Sequence, residues 1–289
     1  MAAVDVAPVA IAVRRTRLRI DWRILTGATG LGLFVMAAVI APLIAPYAPN
    51  VLNIAVRLQG PSATHLLGTD ELGRDILSRL LYGLRPSLVA SLAAISLAGI
   101  GGVLLGLPAG YFGSWFDELA TRVFDLLIAW PAVFLAIAIV LLFGSGEWEI
   151  ILAIGFAELP IFARLVRSIA IVNAGSEHVE AARASGASHR RIMRVHILPF
   201  VVVPLAVQFA IAAPQALVAE ASLNYLGLGT RPPSPSLGAM VSEGQNYLAY
   251  SSGAVVFPVI VIVVLVVCLT LLADGLQDRL DPHRHGLLQ

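Results

Sequence analysis

Uncharged apolar runs of about 20 residues recur along the chain, and polar intervals separate them. A helix of that length crosses ~30 Å of hydrocarbon, so the rhythm predicts a series of membrane spans. Six are expected: Ile24–Ala45, Pro86–Tyr111, Val123–Phe143, Trp148–Val166, Pro199–Asn224 and Gly253–Ala273. The runs are continuously apolar. A transmembrane barrel would instead alternate apolar and polar residues in segments of ~10 residues. The fold class read from the pattern is an all-α polytopic membrane protein.

The most polar long interval between two apolar runs is Glu180–Pro199, EAARASGASHRRIMRVHILP. It predicts two short helices. Ala181, Ala182 and Ala184 favour the first, and Gly186 can take the left-handed conformation that ends it. Ser188 is the expected N-cap of the second, and Pro199 its end. A small charged hairpin between two spans offers a surface to a soluble partner.

The chain of 289 residues is 58% hydrophobic and 13% charged. All 19 basic residues are Arg, with no Lys. With the N-terminus in the cytoplasm, six spans leave 14 Arg inside and 5 outside, which obeys the positive-inside rule. This orientation puts the hairpin and both termini in the cytoplasm. The Arg-rich leader and the length of the first run argue for an uncleaved first span rather than a signal peptide. The expected divisions are a cytoplasmic tail (1–23), a first span (24–45), an extracytoplasmic segment (46–85), a core of five spans with the hairpin 176–199 (86–275), and a cytoplasmic tail (276–289). Residues 226–252, with Pro232, Pro233 and Pro235, are expected to be a stiff non-helical connection outside.

Some residues inside the spans break the apolar pattern. Gly102, Gly106 and Gly110 share one face, extended by Ser87, Ser91, Ala94 and Ala98, and such a face packs helices closely. Gln208, Gln215 and Ser222 recur every seven residues with Ala212 and Ala219 between them. All five fall on one side of a helix. That stripe either lines a translocation pathway or makes interhelical hydrogen bonds. Glu220 is offset from it, as a gate or pathway charge or an interfacial carboxylate. Asp125, Asp274 and the deeper Glu158 complete the charges near the membrane.

Several chemistries are excluded. Without Lys there is no phosphate-binding GxxxxGK[ST] loop. HExxH and GxSxG are absent, and the single Cys268 cannot form an internal disulfide or a CxxC pair. A proton-coupled carrier would need a buried charge relay, for which Glu158 and Glu220 are the available groups. An ATP-driven transporter would need its ATPase on another chain.

The hairpin spacing is specific. Glu180, Ala181, Ala182, Gly186, Leu198 and Pro199 match the EAA loop of permease subunits of binding-protein-dependent ABC importers. His196 departs from the general pattern in favour of HILP, the form typical of the peptide and nickel branch. Leu66–Leu88 (LLGTDELGRDILSRLLYGLRPSL), Glu220–Met240 (EASLNYLGLGTRPPSPSLGAM) and Asp274–Pro282 (DGLQDRLDP) are similar to C-type permeases of dipeptide and oligopeptide importers. The resemblance implies a six-span permease core of the methionine-importer type. The hairpin would be a coupling helix seated on an ATPase, with Glu180, Arg183, Arg190 and Arg191 ion-pairing across the contact. It also implies a non-catalytic subunit of the cell membrane that binds no cofactor or metal, with ATP and Mg on partner ATPase subunits. The implied partners are a homologous B-type permease, two ATP-binding subunits or domains, a substrate-binding protein and the lipid bilayer, with no nucleic acid. The cargo would be peptides, with nickel, glutathione or haem as the alternative.

Overall fold

The computed structural model describes residues 21–280, and these are helical with no strand among them. The Arg cluster before Asp21 and the tail with His283 and His285 lie outside the described residues, as does the end of the DGLQDRLDP stretch.

Helix α1 (Trp22–Ile44) starts at Asp21, whose carboxylate accepts from the Arg23 N–H at 3.0 Å. Such a cap satisfies one of the amides that a helix start leaves without an internal partner. A loop with one 3-10 turn at Ile54–Val56 leads to α2 (Ile76–Phe112). This helix begins ten residues before the expected Pro86. Asp75 caps it by accepting from the Ser78 N–H at 2.8 Å. Arg79 and Arg85 made its first turns read as loop.

The expected third span is broken. Helices α3 (Ser114–Ala129) and α4 (Ala132–Phe143) meet at 96° across Trp130 and Pro131. Pro131 has no N–H to continue the ladder, and the residue before a proline is pushed out of the helical region. Trp130 accordingly has ψ 135°. Helix α5 (Glu147–Ala174) follows, then α6 (Glu177–Ala184).

Helix α7 (His189–Arg191) runs through a π-helical stretch, Ile192–Ile197, into α8 (Leu198–Tyr225). Pro199 therefore does not end the second hairpin helix. It sits at the start of α8, where a missing N–H is tolerated, and the wider π turn carries the chain past it. Residues 226–236 are irregular as expected, but Ser236 then caps a helix, α9 (Leu237–Gln245), inside the segment read as non-helical. Helix α10 (Gly253–Leu280) runs seven residues past the expected end at Ala273.

Among the described residues, four helical stretches are long and apolar enough to cross a bilayer: α1, α2, His189–Tyr225 and α10. The α3–α4 pair makes a fifth if the two arms count as one span. Helix α5 has the length, 28 residues or ~42 Å. It carries Glu147, Glu149, Glu158, Arg164 and Arg167, which set it apart from the apolar class. The expected count of six depends on including it.

The bundle is built on the pair α2 and α5. A side chain at Gly102 would stand 2.6 Å from the Phe162 Cβ, one at Gly106 would enter the Ala163 carbonyl, and one at Gly110 would lie 2.5 Å from the Arg167 carbonyl. The small-residue face therefore brings the two backbones together, and van der Waals contact holds the pair. Helices α8 and α10 complete the main core, and α1 lies along α10. One end of the bundle gathers residues 46–75, α9, the start of α5 and the end of α8. The opposite end carries α6, α7 and the close of α2.

Candidate functional site

Two features concentrate the polar residues. The first is the hairpin. Helix α6 closes with a paired set of bonds: Gly186 N–H to the Arg183 carbonyl at 3.0 Å, and Ala187 N–H to the Ala182 carbonyl at 3.0 Å. This is the Schellman arrangement, and it requires the left-handed backbone that Gly186 supplies at φ +78°. Ala182 and Ala187 rest on the same apolar cluster, as that motif favours. Ser188 has extended backbone before α7, but its side chain makes no capping bond.

The hairpin is held against the bundle by its apolar side. Val179 is 0% exposed and packs with Val166, Ala170, Leu107 and Tyr111. Ile192 and Ile197 join the same cluster. The Tyr111 hydroxyl lies 2.8 Å from His189 Nδ1, and the Arg183 guanidinium sits 5.9 Å above the Tyr111 ring. The other face is left to solvent. Glu180, Ala181, Arg183, Gly186, Arg190, Arg191 and Pro199 are exposed, while Ala182 and Leu198 are half-buried. Glu180, Arg190, Arg191 and Arg194 make no ion pair among the described residues.

The second feature is a groove of about 660 Å³ between α8, α10, α5 and the start of α4. Gln215, Ala219 and Ser222 line it, so three of the five stripe residues share one concave surface. Ala212 is buried and Gln208 does not reach the groove. The Ser222 hydroxyl donates to the Val218 carbonyl of its own helix at 2.7 Å. Across from the stripe stand Glu158, Thr270, Asp274 and Gln277.

Glu220 is turned away from the groove. It is 1% exposed and faces α2, where Ser87 Oγ donates to its Oε1 at 3.1 Å. Asn224 Nδ2 donates to the same oxygen at 2.7 Å, and Asn224 Oδ1 accepts from the Thr230 N–H at 2.8 Å. Glu220 therefore ties α8 to α2 and to the turn that follows α8, a place inside the packing rather than at a gate.

The residues that sequence reasoning did not connect are at the far end of the bundle. Arg74 donates to Asp70 at 2.6 Å, to Glu71 at 2.8 Å and to Glu243 of α9 at 2.8 Å. Arg79 is 1% exposed and donates to Glu243 at 2.9 Å. Burial, then the charge of Asp70, pushes the Glu71 carboxyl above its ordinary value. Carboxylate oxygens of Asp70, Glu71 and Glu243 fall within 4.8 Å of one another, as metal ligands do. The Arg74 guanidinium already bridges all three. The GTDELGRD stretch was singled out, but nothing local signals its partner 169 residues away.

A bundle of several apolar helices with a polar groove and a charged hairpin has the architecture of a multi-pass membrane protein. The chain belongs to the family of binding-protein-dependent transport system inner membrane components, whose model matches residues 102–286. It is 41% identical over 249 residues to the dipeptide transport system permease protein DppC of Alkalihalophilus pseudofirmus, covering 86% of this chain and 82% of that one. A putative peptide transport system permease of Brucella suis is 40% identical over 276 residues, covering 96% and 92%. The glutathione transport system permease GsiD of Pectobacterium atrosepticum is 39% identical over 260 residues, covering 88% and 86%. Among solved structures, the inward-facing MetNI methionine ABC transporter aligns with a TM-score of 0.54 at 18% identity, over 71% of this chain and 98% of that one. An amino acid ABC transporter solved with histidines aligns with a TM-score of 0.54 at 17% identity, over 70% and 94%. Both likenesses support the fold.

Proposed function

We propose that the chain is one of two permease subunits of an ATP-driven importer of di- and oligopeptides. It pairs with a homologous permease, two ATP-binding subunits or domains and an extracytoplasmic substrate-binding protein. The hairpin and both termini face the cytoplasm, in keeping with the Arg distribution. ATP and Mg belong to the partner subunits, and this chain makes no covalent change to its cargo.

The observation that carries this reading is the hairpin itself. Its apolar side is anchored through Val179, Ile192 and Ile197, while Glu180, Arg183, Arg190 and Arg191 are presented outward. A rigid lever with an exposed mixed-charge face suits docking on a soluble ATPase. ATPase closure then moves the bundle through the shared cluster with α2 and α5 and alternates access to the groove. The names of the DppC and Brucella relatives support the peptide cargo. The glutathione relative supports glutathione, itself a tripeptide, as the second reading.

The test is uptake by the assembled importer, together with identification of the ligand on its purified binding protein. Glu180→Arg is expected to abolish uptake while the chain still inserts in the membrane. Normal uptake by this variant would refute the coupling role, and a binding protein that holds no peptide would refute the cargo.

A further inference from the structure

Glu158 stands out among the carboxylates of the bundle. It is 9% exposed, it lines the groove, and its Oε2 is fully enclosed with no hydrogen-bond partner. Neither of its oxygens has a hydrogen bond or ion pair among the described residues. Glu220 and Glu71 also enclose an oxygen without a partner, but each has one bonded oxygen, Glu220 to Ser87 and Asn224 and Glu71 to Arg74. The more exposed Asp125 and Asp117 pair with Arg164 and Arg167. An unpaired carboxylate at membrane depth is costly unless something arrives to pair with it.

Gln215 lines the same groove, and its side chain has no hydrogen bond among the described residues. Glu158 lies ~16 Å along α5 from Glu147, and Gln215 lies ~15 Å back along α8 from Tyr225. Both helix ends lie at the same end of the bundle, where Arg231 Nε donates to the Ser145 carbonyl at 2.9 Å. At that depth the α3–α4 bend brings Ala132 and Val133 to the groove wall. Among the described residues no cationic side chain lines the groove, while Glu158 and Asp274 both do. The surface thus favours positive charge, and it offers a carboxylate neutral donors but no cationic partner.

We propose that Glu158 is a substrate-binding residue that receives the free α-ammonium group of a peptide passing through the groove, with the Gln215 amide beside it. This rests on the peptide reading above. The ammonium brings three donors and a full charge to a carboxylate that has neither. The peptide's own carboxylate, for which the described groove lining holds no cationic partner, would trail.

The test uses the complete importer in proteoliposomes, with its binding protein outside and radiolabelled dialanine and trialanine as probes. Glu158→Gln is expected to reduce uptake at least about tenfold, the scale of one lost charged hydrogen bond. Glu158→Asp is expected to restore at least a third of it. Both variants are expected to yield assembled complex at the wild-type level on size exclusion. A loss smaller than tenfold in Glu158→Gln overturns the proposal. So does a Glu158→Asp chain no better than Glu158→Gln. A fall in assembled complex overturns it too, because the carboxylate would then be pairing with the neighbouring permease. Wild-type importer that takes up neither peptide overturns the peptide reading instead, and the proposal with it.

Discussion

Gly186 allows the proposed coupling role of the hairpin to be tested without a new side-chain clash. Its φ is +78°, and a Cβ built there meets nothing within 4 Å. Substitution therefore meets backbone strain alone. For Ala, left-handed backbone costs about 1–2 kcal/mol. That shifts the balance between the closed and opened hairpin by a factor of about 5–30. Asn tolerates this conformation better and should cost less. Pro cannot reach it, because its ring holds φ near about −65°, and it also removes the N–H that donates to the Arg183 carbonyl. The expected order of ATP-driven uptake is therefore Gly, Asn, Ala, Pro, with Gly186→Pro inactive. Hydrogen exchange at the amides of α6 and α7 reads the same order independently, fastest in Gly186→Pro. Equal uptake and equal exchange in the Ala and Pro variants would refute the claim that the closed turn transmits motion.

Three further outcomes follow from the packing and the charges. Gly106→Leu drives a side chain into the Ala163 backbone and should destabilise the bundle by about 3 kcal/mol, read as a lower midpoint in thermal unfolding of the purified complex. Arg79→Met removes one of the two arginines on Glu243, which keeps Arg74 and is partly exposed, and should cost about 1.5–3 kcal/mol, with part recovered when Glu243→Leu is added; no recovery would mean the pair is not the source of the loss. Glu71 holds its proton more tightly folded than unfolded, so its contribution to stability declines as pH rises above the ordinary carboxylate value. Glu71→Gln should flatten that part of the profile in unfolding measured against pH.

The apolar pattern located α1 and the start of α10 to within a few residues, because there the hydrophobic run and the helix coincide. It failed where they separate. The first turns of α2 carry Arg79 and Arg85, so hydropathy placed the start at Pro86, while the cap at Asp75 sets it earlier. Pro131 was a readable break, yet the apolar residues on both sides hid a 96° bend. Helix α9 is short and follows three prolines, and only its Ser236 cap announces it. The hairpin was the most readable site, since its turn depends on local residues. The groove was half readable. Helical spacing aligned Gln215 with Ser222, but no local rule puts Glu158 of another helix opposite them or turns Glu220 away toward Ser87.

The two ends of the bundle treat charge in opposite ways, and the contrast bears on where partners dock. At one end Asp70, Glu71, Arg74, Arg79 and Glu243 pair with each other across 169 residues of chain, largely enclosed, with Glu71 Oε2 and Arg79 Nη1 left without a partner. Such a network costs desolvation once, at folding, and leaves little free charge to recruit a partner. It pins the loop before α2 to α9 and so makes that end a rigid cap. At the other end Glu180, Arg190, Arg191 and Arg194 stay exposed without ion pairs among the described residues, on helices anchored from below by Val179 and Ile192. Unpaired charges on an anchored support keep their capacity to steer and register a partner. The contrast supports the proposed docking at the hairpin and makes the capped end the rigid one. The unpaired carboxylate of Glu158 lies between them, at the depth where a cargo would pass.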